Sequence, residues 1–412
     1  MTSASAPAPS PTGQDGFDAA RVDAFTAEDL QALGSLKWTA FPRSIGAWVA
    51  EMDFPVAPPV TRALQRAVAD SAFGYLPTSL VAETKRACAD WYARTTGWAP
   101  AVADIHLVPD VLTALRVTLD HVTGPGTTAV VTTPAYMPFL TRPELVGHGL
   151  RTVAAARDAD GRWVHDLEAL DATLASIDGP ALLVLCNPWN PVGRVLSREE
   201  LLAIAEVVER HGATVFSDEI HAPVLLDDDA AHVPYASLSP ATAEHTITAV
   251  SASKAWNLPG LKCAQLLATG TRHREILARP ATFAGYEPAT IGLVANTAAY
   301  DLGGPWLEGA RTYLRENRDA FAAAIAEAIP DAVATRPEGT YLALVDLRAV
   351  RSASGAALPD DLGAFFRDHA GVAITDGALC GAPGFVRFNL ALPRPLLLEA
   401  VAALGSAVDA LD

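Results

Sequence analysis

Along the chain, short runs of β-branched and apolar residues alternate with stretches where apolar positions recur every three or four residues. The short runs fall at 128–133, 181–185, 214–216, 246–250 and 263–268. Each is apolar on both faces and bounded by turn residues, which suits strands buried in a mostly parallel sheet. The periodic stretches at 60–71, 81–97, 112–121 and 198–211 predict helices, and Gly97 ends the second of them. A shorter helix is expected at 28–36, followed by an irregular stretch at 37–59 that is rich in Trp, Pro and Phe. Alternating strands and helices imply an α/β layered domain. At Gly303-Gly304-Pro305 the pattern changes. A long helix at 306–328 leads into a mixed region, with strands near 341–346 and 385–390.

The chain has 412 residues, more than one hydrophobic core usually spans. The expected division is a large domain at 60–300 and a smaller α+β domain at 301–412. The segment 17–59 is expected to join the small domain. Residues 1–16 are rich in Ala, Ser, Pro and Thr, with no basic start and no long apolar run. They read as a disordered tail and not as a signal peptide. There is no internal repeat.

Lys and Arg number 30 against 47 Asp and Glu, a net charge of -17. Such a chain is repelled by nucleic acid and by anionic membrane, so neither is expected as a partner. No apolar stretch is long enough to span a bilayer, and a cytoplasmic location is expected. Cys88, Cys186, Cys263 and Cys380 are scattered, with no CxxC and no nearby His pair. That argues against a zinc site and a disulfide framework, and no metal is expected.

In an open parallel sheet, ligands bind beyond the carboxyl ends of the strands. Here the strand ends carry polar residues. The run at 181–185 is followed by Cys186-Asn187-Pro188-Trp189-Asn190-Pro191-Val192-Gly193-Arg194. The run at 214–216 is followed by Ser217-Asp218-Glu219-Ile220-His221, and that at 246–250 by Ser251-Ala252-Ser253-Lys254. Unpaired charges at buried strand ends are costly. One cofactor that needs a lysine amine, an acid and small donors together is pyridoxal 5′-phosphate (PLP). The acid would keep the pyridine nitrogen protonated. Serines beside Lys254 and backbone N–H groups opening a helix near Val111 would suit its phosphate.

In these residues the chain resembles the fold-type I PLP enzymes of the class I/II aminotransferase family. More narrowly it resembles the carbon–sulfur lyase branch, the cystathionine β-lyases of the MalY/PatB type. Besides the three strand-end motifs, the markers are Trp48-Val49-Ala50-Glu51-Met52-Asp53-Phe54-Pro55, Phe73-Gly74-Tyr75 and Val386-Arg387-Phe388-Asn389, all in family order. The resemblance implies the aspartate-aminotransferase-like α/β fold, PLP as cofactor, a small amino-acid substrate and a homodimer with active sites at the subunit interface.

It also implies roles for residues. Lys254 would carry the cofactor as a Schiff base and move protons. Asp218 would pair with the pyridine nitrogen, Tyr136 would stack on the ring, and Asn190 would bond the ring 3′-oxygen and help orient the substrate carboxylate. Arg387 would grip that carboxylate through a bidentate fork. Ser251, Ser253, and the backbone of Val111 and Leu112 would bind the phosphate. Tyr75 would reach the phosphate of a neighbouring subunit. Lys262 stands where an aminotransferase arginine contacts the phosphate, and can serve there only as a point charge. His221 stands where many aminotransferases have tyrosine. It is either a cofactor contact or a hydrogen-bonded structural histidine. Trp189 and the 37–53 segment are expected to line the substrate pocket. Two departures from the family stand out: Glu51 where the branch usually has Asp, and Asp110 where the phosphate loop commonly has Gly. A carboxylate there would repel a phosphate, so Asp110 is expected to point away or to alter the loop.

These residues leave the reaction open. Elimination of a β-thiolate from an S-substituted cysteine, giving thiol, pyruvate and ammonia, is the leading expectation from the Trp48–Pro55 and His221 signatures. Transamination with a keto acid, or a specialised natural-product lyase of the same fold, are the alternatives. A regulatory module fused to a DNA-binding domain is disfavoured, because no basic helix-turn-helix region precedes the fold.

Overall fold

The computed structural model describes residues 15–411. The tail expected at 1–16 lies outside the described residues except for its last two positions.

The helices that frame the site are α1 (Pro58–Ala69), α2 (Thr78–Thr96), α3 (Val111–Val117), α4 (Arg198–His211), α5 (Thr290–Leu302), α6 (Gly304–Ala328) and α7 (Arg394–Asp409). The strands β1 (Ile105–Val108), β2 (Thr128–Thr133), β3 (Gly149–Ala154), β4 (Ala181–Cys186), β5 (Thr214–Asp218), β6 (Thr246–Val250) and β7 (Ala264–Leu267) form one sheet in the order β1-β7-β6-β5-β4-β2-β3. β7 runs antiparallel to both neighbours, and the other adjacent pairs are parallel. β3 and β4 lie on opposite sides of β2. This reversal of strand order opens a crevice at the carboxyl ends.

The central strands are where continuous apolar runs predict them, because both faces are covered. Every residue of β6 is buried. Two expected strands stop short of the observed ones. β4 runs on to Cys186, and β5 runs on through buried Ser217 and Asp218, with Asp218 paired in register with Cys186. Two strands were not expected. β1 has only four residues. β3 is an edge strand, with Arg151 and Thr152 exposed, so it lacks an unbroken apolar run. The helix expected at 112–121 is α3 followed by a π-helical turn, Thr118–Thr123. α5 was also unexpected. It packs so closely on the chain before Lys262 that a Cβ at Gly292 would stand 2.1 Å from the carbonyl oxygen of Leu261.

A second, antiparallel sheet holds β8 (Val333–Ala334), β9 (Leu342–Asp346), β10 (Thr375–Asp376) and β11 (Phe385–Asn389) in the order β8-β9-β11-β10. α6 packs on it through Phe321 and Phe388, whose ring centroids are 4.8 Å apart. The N-terminal segment is tied here, since Ile45–Gly46 pairs with Val372–Ala373. Lys37 and Asp53 form a buried ion pair of 2.8 Å. The lysine also donates to the carbonyls of Glu51 and Ala391, and Trp38 Nε1 donates to Asp53. A buried pair of this kind is tolerated because its remaining donors and acceptors are satisfied. Among the described residues, no helix is long and apolar enough to cross a membrane.

Candidate active site

A cleft of about 270 Å³ opens at the carboxyl ends of β4, β5 and β6. Lys254, Asp218, Asn190, Tyr136, His221 and Arg387 all line it, as do Val111, Leu112, Ser251, Ser253 and Lys262. The parallel register of the strands delivers the first three from successive chain ends. Tyr136 comes from the turn after β2, and Arg387 from β11 of the second sheet.

Lys254 Nζ donates to the carbonyl of Ala50 at 2.7 Å. Burial, aided by the nearby Arg387 charge and opposed by Asp218, pulls its pKa down to about 8. Burial pushes Asp218 the other way, up to about 7. Its carboxylate accepts from the Ile220 amide at 3.1 Å, and the Cys186 thiol is 3.7 Å away. An acid this poorly solvated gains from a cationic N–H brought to it. His221 is neutral, its pKa pulled down to about 3 by burial and by Lys254 and Arg387. Its Nδ1 has no hydrogen-bond partner among the described residues, and its ring meets Tyr341 edge-on. Burial also raises the Tyr136 phenol.

Arg387 is 2% exposed. Its Nη2 donates to the carbonyl of Trp48 at 2.7 Å and to Thr375 Oγ1 at 3.2 Å. Nη1 makes only long contacts, 3.4 Å to Asn190 Oδ1 and 3.6 Å to Met137 Sδ. Nε has no partner, and among the described residues no carboxylate pairs with this guanidinium. A buried arginine left in this state is an incomplete ion pair, and a substrate carboxylate would complete it.

At the other end of the cleft, Asp110 caps α3. It accepts from the Thr113 amide at 2.8 Å, leaving the amides of Val111 and Leu112 without intrahelical acceptors. Lys262 Nζ sits 3.0 Å from Asp110, so this carboxylate is turned to the helix and the lysine instead of standing free. The two serines differ. The Ser251 hydroxyl donates to the carbonyl of Cys263 and accepts from the Ser253 amide, so its proton is committed to the fold. Ser253 keeps its own hydroxyl free of protein partners among the described residues. An amine, a buried acid, two free amides, a hydroxyl and a lysine together form a donor set that fits PLP.

One expected contact lies elsewhere. Trp189 does not line the cleft. It is 2% exposed, stacks on His165 at 4.4 Å and donates to the carbonyl of Pro134. Asn190 faces the cleft, whereas Trp189, the residue before it, packs into the hydrophobic core. Tyr75 is fully exposed and is not a lining residue of its own subunit's cleft. Within the expected 37–53 segment, only Trp48, Val49 and Ala50 reach the cleft. Met137 and Ile220 line it as well and were not singled out from the sequence. Each adjoins a motif residue, which is the one signal that could have found them.

The model of the family "Aminotransferase class I and II" matches residues 49–404. A relative from Mycobacterium tuberculosis is 37% identical over 408 residues, covering 93% of this chain and 97% of its own. The cystathionine beta-lyase of Corynebacterium glutamicum is 31% identical over 383 residues, covering 92% and 98%. Among solved structures, cystalysin from Treponema denticola, which contains a pyridoxal 5′-phosphate cofactor, superposes with a TM-score of 0.83 at 26% identity, covering 91% of this chain and 95% of its own. The fold expected from the motifs is therefore the fold found, and the chain belongs to the aminotransferase class I and II family.

Proposed function

We propose that this chain is a PLP-dependent carbon–sulfur β-lyase that converts an S-substituted L-cysteine and water to a thiol, pyruvate and ammonia. The observation that carries this reading is the buried, unpaired Arg387 in one cleft with a lysine of lowered pKa and a buried acid. Names borne by relatives at 31% and 33% identity support the lyase assignment.

Bound PLP supplies an electron sink for the negative charge left at the substrate Cα. Arg387 and Asn190 take the α-carboxylate, which fixes the orientation of the Cα–H bond. The Lys254 amine, neutral above about pH 8, accepts the Cα proton. Asp218 holds a proton at the pyridine nitrogen. Tyr136, which lines the cleft, would help hold the ring. His221, neutral throughout the working range, would bring no competing charge to the bound cofactor. Val111, Leu112, Ser253 and Lys262 would hold the phosphate. We place the enzyme in the cytoplasm as a homodimer, with Tyr75 of each subunit serving the other's cleft.

The test is release of thiol, pyruvate and ammonia from a panel of S-substituted cysteines, cystathionine included. Equal release of all three products supports the lyase. Keto acid formed from an amino donor in a single turnover, with no thiol, selects transamination instead.

A further inference from the structure

We infer that the cleft is built for cysteine conjugates whose sulfur carries an uncharged apolar group, alkyl or aryl, in preference to a second amino-acid head. This rests on the lyase reading above and narrows its substrate class.

Elimination breaks the Cβ–S bond and delivers a proton to sulfur whatever the sulfur carries. Water supplies the oxygen of pyruvate, and nitrogen leaves as ammonia. Thiolates of similar leaving ability, such as those of alkyl, benzyl and homocysteine sulfur, are then told apart chiefly through binding. Among the described residues lining the cleft, the charged side chains are Asp110, Asp218, Lys254, Lys262 and Arg387. Each has a use already. Lys262 and Asp110 pair with each other at 3.0 Å, Arg387 awaits the α-carboxylate, and Lys254 and Asp218 serve the chemistry. His221 is neutral. Glu51, the next carboxylate along the N-terminal segment, is not a lining residue.

A cystathionine-like substrate carries a distal ammonium and a distal carboxylate. Both would have to leave water, and each would need a counter-charge to offset its desolvation. Near Arg387, the apolar lining that would meet the S-substituent includes Trp48, Val49, Met137 and Pro138. Trp48 is held in place before any ligand arrives. Its Nε1 donates to the carbonyl of Lys37 at 3.1 Å, and its ring meets Phe41 edge-on at 5.5 Å. A wall fixed in advance loses little freedom on binding. Met137 Sδ lies 3.6 Å from Arg387 Nη1, so this apolar surface begins beside the carboxylate fork. A thioether and an indole face favour soft, apolar partners. The stretch expected to reach in from a second copy, Phe73-Gly74-Tyr75, adds aromatic surface and no charge.

The experiment compares kcat/KM of the purified holoenzyme for S-methyl-, S-butyl- and S-benzyl-L-cysteine with that for L-cystathionine. The expected result is a preference for the butyl and benzyl conjugates over cystathionine of about tenfold or more. Trp48→Ala, which keeps the backbone carbonyl that Arg387 uses, should lower kcat/KM for the benzyl conjugate more than for the methyl one. Cystathionine turned over as well as or better than the apolar conjugates overturns the inference and leaves the lyase reading standing. Equal losses for benzyl and methyl substrates in Trp48→Ala also overturn it. Product release from none of the four substrates sinks both readings. The wild-type comparison stands by itself if the variant fails to fold.

Discussion

Asp218 and Lys254 are each held away from their ordinary ionisation, and this has a cost that the fold bears when no cofactor is bound. Asp218 is raised from 3.8 to about 7, so the folded state holds its proton more tightly than the unfolded chain does. That contribution is complete below about pH 4 and is lost as pH rises through about 7. Lys254 is lowered to about 8, so its contribution is present above about pH 10.5 and is lost as pH falls through about 8. Near pH 7.5 the apoprotein has lost both. Asp218→Asn in the apoprotein should therefore match wild type in urea unfolding at pH 4 and exceed it at pH 7.5, by on the order of a few kcal/mol. Identical curves at both pH values would show that the acid is not desolvated. Arg387 is the converse case, since its missing partner is the substrate. Arg387→Ala should lower kcat/KM by about a hundredfold or more, and Arg387→Lys should recover little of it, because an ammonium cannot reproduce the planar fork. The polar site residues were legible in the sequence because charges at the ends of apolar strands have no structural reason to be there. Met137 was not, because an apolar residue lining a cleft looks the same in sequence as one buried in a core, and Trp48 was expected only as part of the whole 37–53 segment. Nor could sequence show that the Ser251 proton is taken by the carbonyl of Cys263.

At the scale of elements, the site depends on a stretch with little regular structure. Residues 48–53 lend carbonyls to the working groups: Trp48 to Arg387, and Ala50 to both Lys254 and Tyr341. Side chains from distant elements hold this strap. Asn389 donates to the carbonyls of Val49 at 2.6 Å and Glu51 at 2.7 Å, and Asn257 bonds both the amide and the carbonyl of Met52. The sequence marked 37–59 as irregular but could not show that 49–52 is held, because Asn257 and Asn389 come from more than two hundred positions away. Asn389 is fully buried, so Asn389→Ala strands two carbonyls. It should cost about 2–4 kcal/mol in chemical denaturation and lower kcat/KM while the bound cofactor keeps its absorbance. An unchanged denaturation midpoint would mean that the strap is held some other way. The loop carrying Asn190 is fixed by a close approach. Gly193 has φ +85°, and a Cβ there would stand 2.7 Å from Pro337 Cβ. Gly193→Ala is therefore strained both in backbone and in space, and should destabilise the fold by about 1–3 kcal/mol.

At the scale of the whole molecule, the proposed homodimer turns on one exposed segment. Tyr75 is fully exposed and Phe73 is 65% exposed, on a turn between α1 and α2 that packs on little of its own chain. Exposed aromatic surface of this kind is where the proposed second copy would pack. In such a dimer, a two-fold interface would place each Tyr75 at the other subunit's cleft. Subunits carrying Lys254→Ala and subunits carrying Tyr75→Ala should then both be poor enzymes as homodimers, for different reasons. Mixed dimers contain one cleft with both damaged residues and one with both intact. Random assortment makes half of the dimers mixed, so co-expression should restore about a quarter of wild-type sites, counted by titration with a tight inhibitor. Activity equal to the average of the two parent homodimers would place Tyr75 at its own subunit's site or at none. The measurement needs no structure of the complex, because a complete cleft can arise only if the tyrosine and the lysine come from different chains.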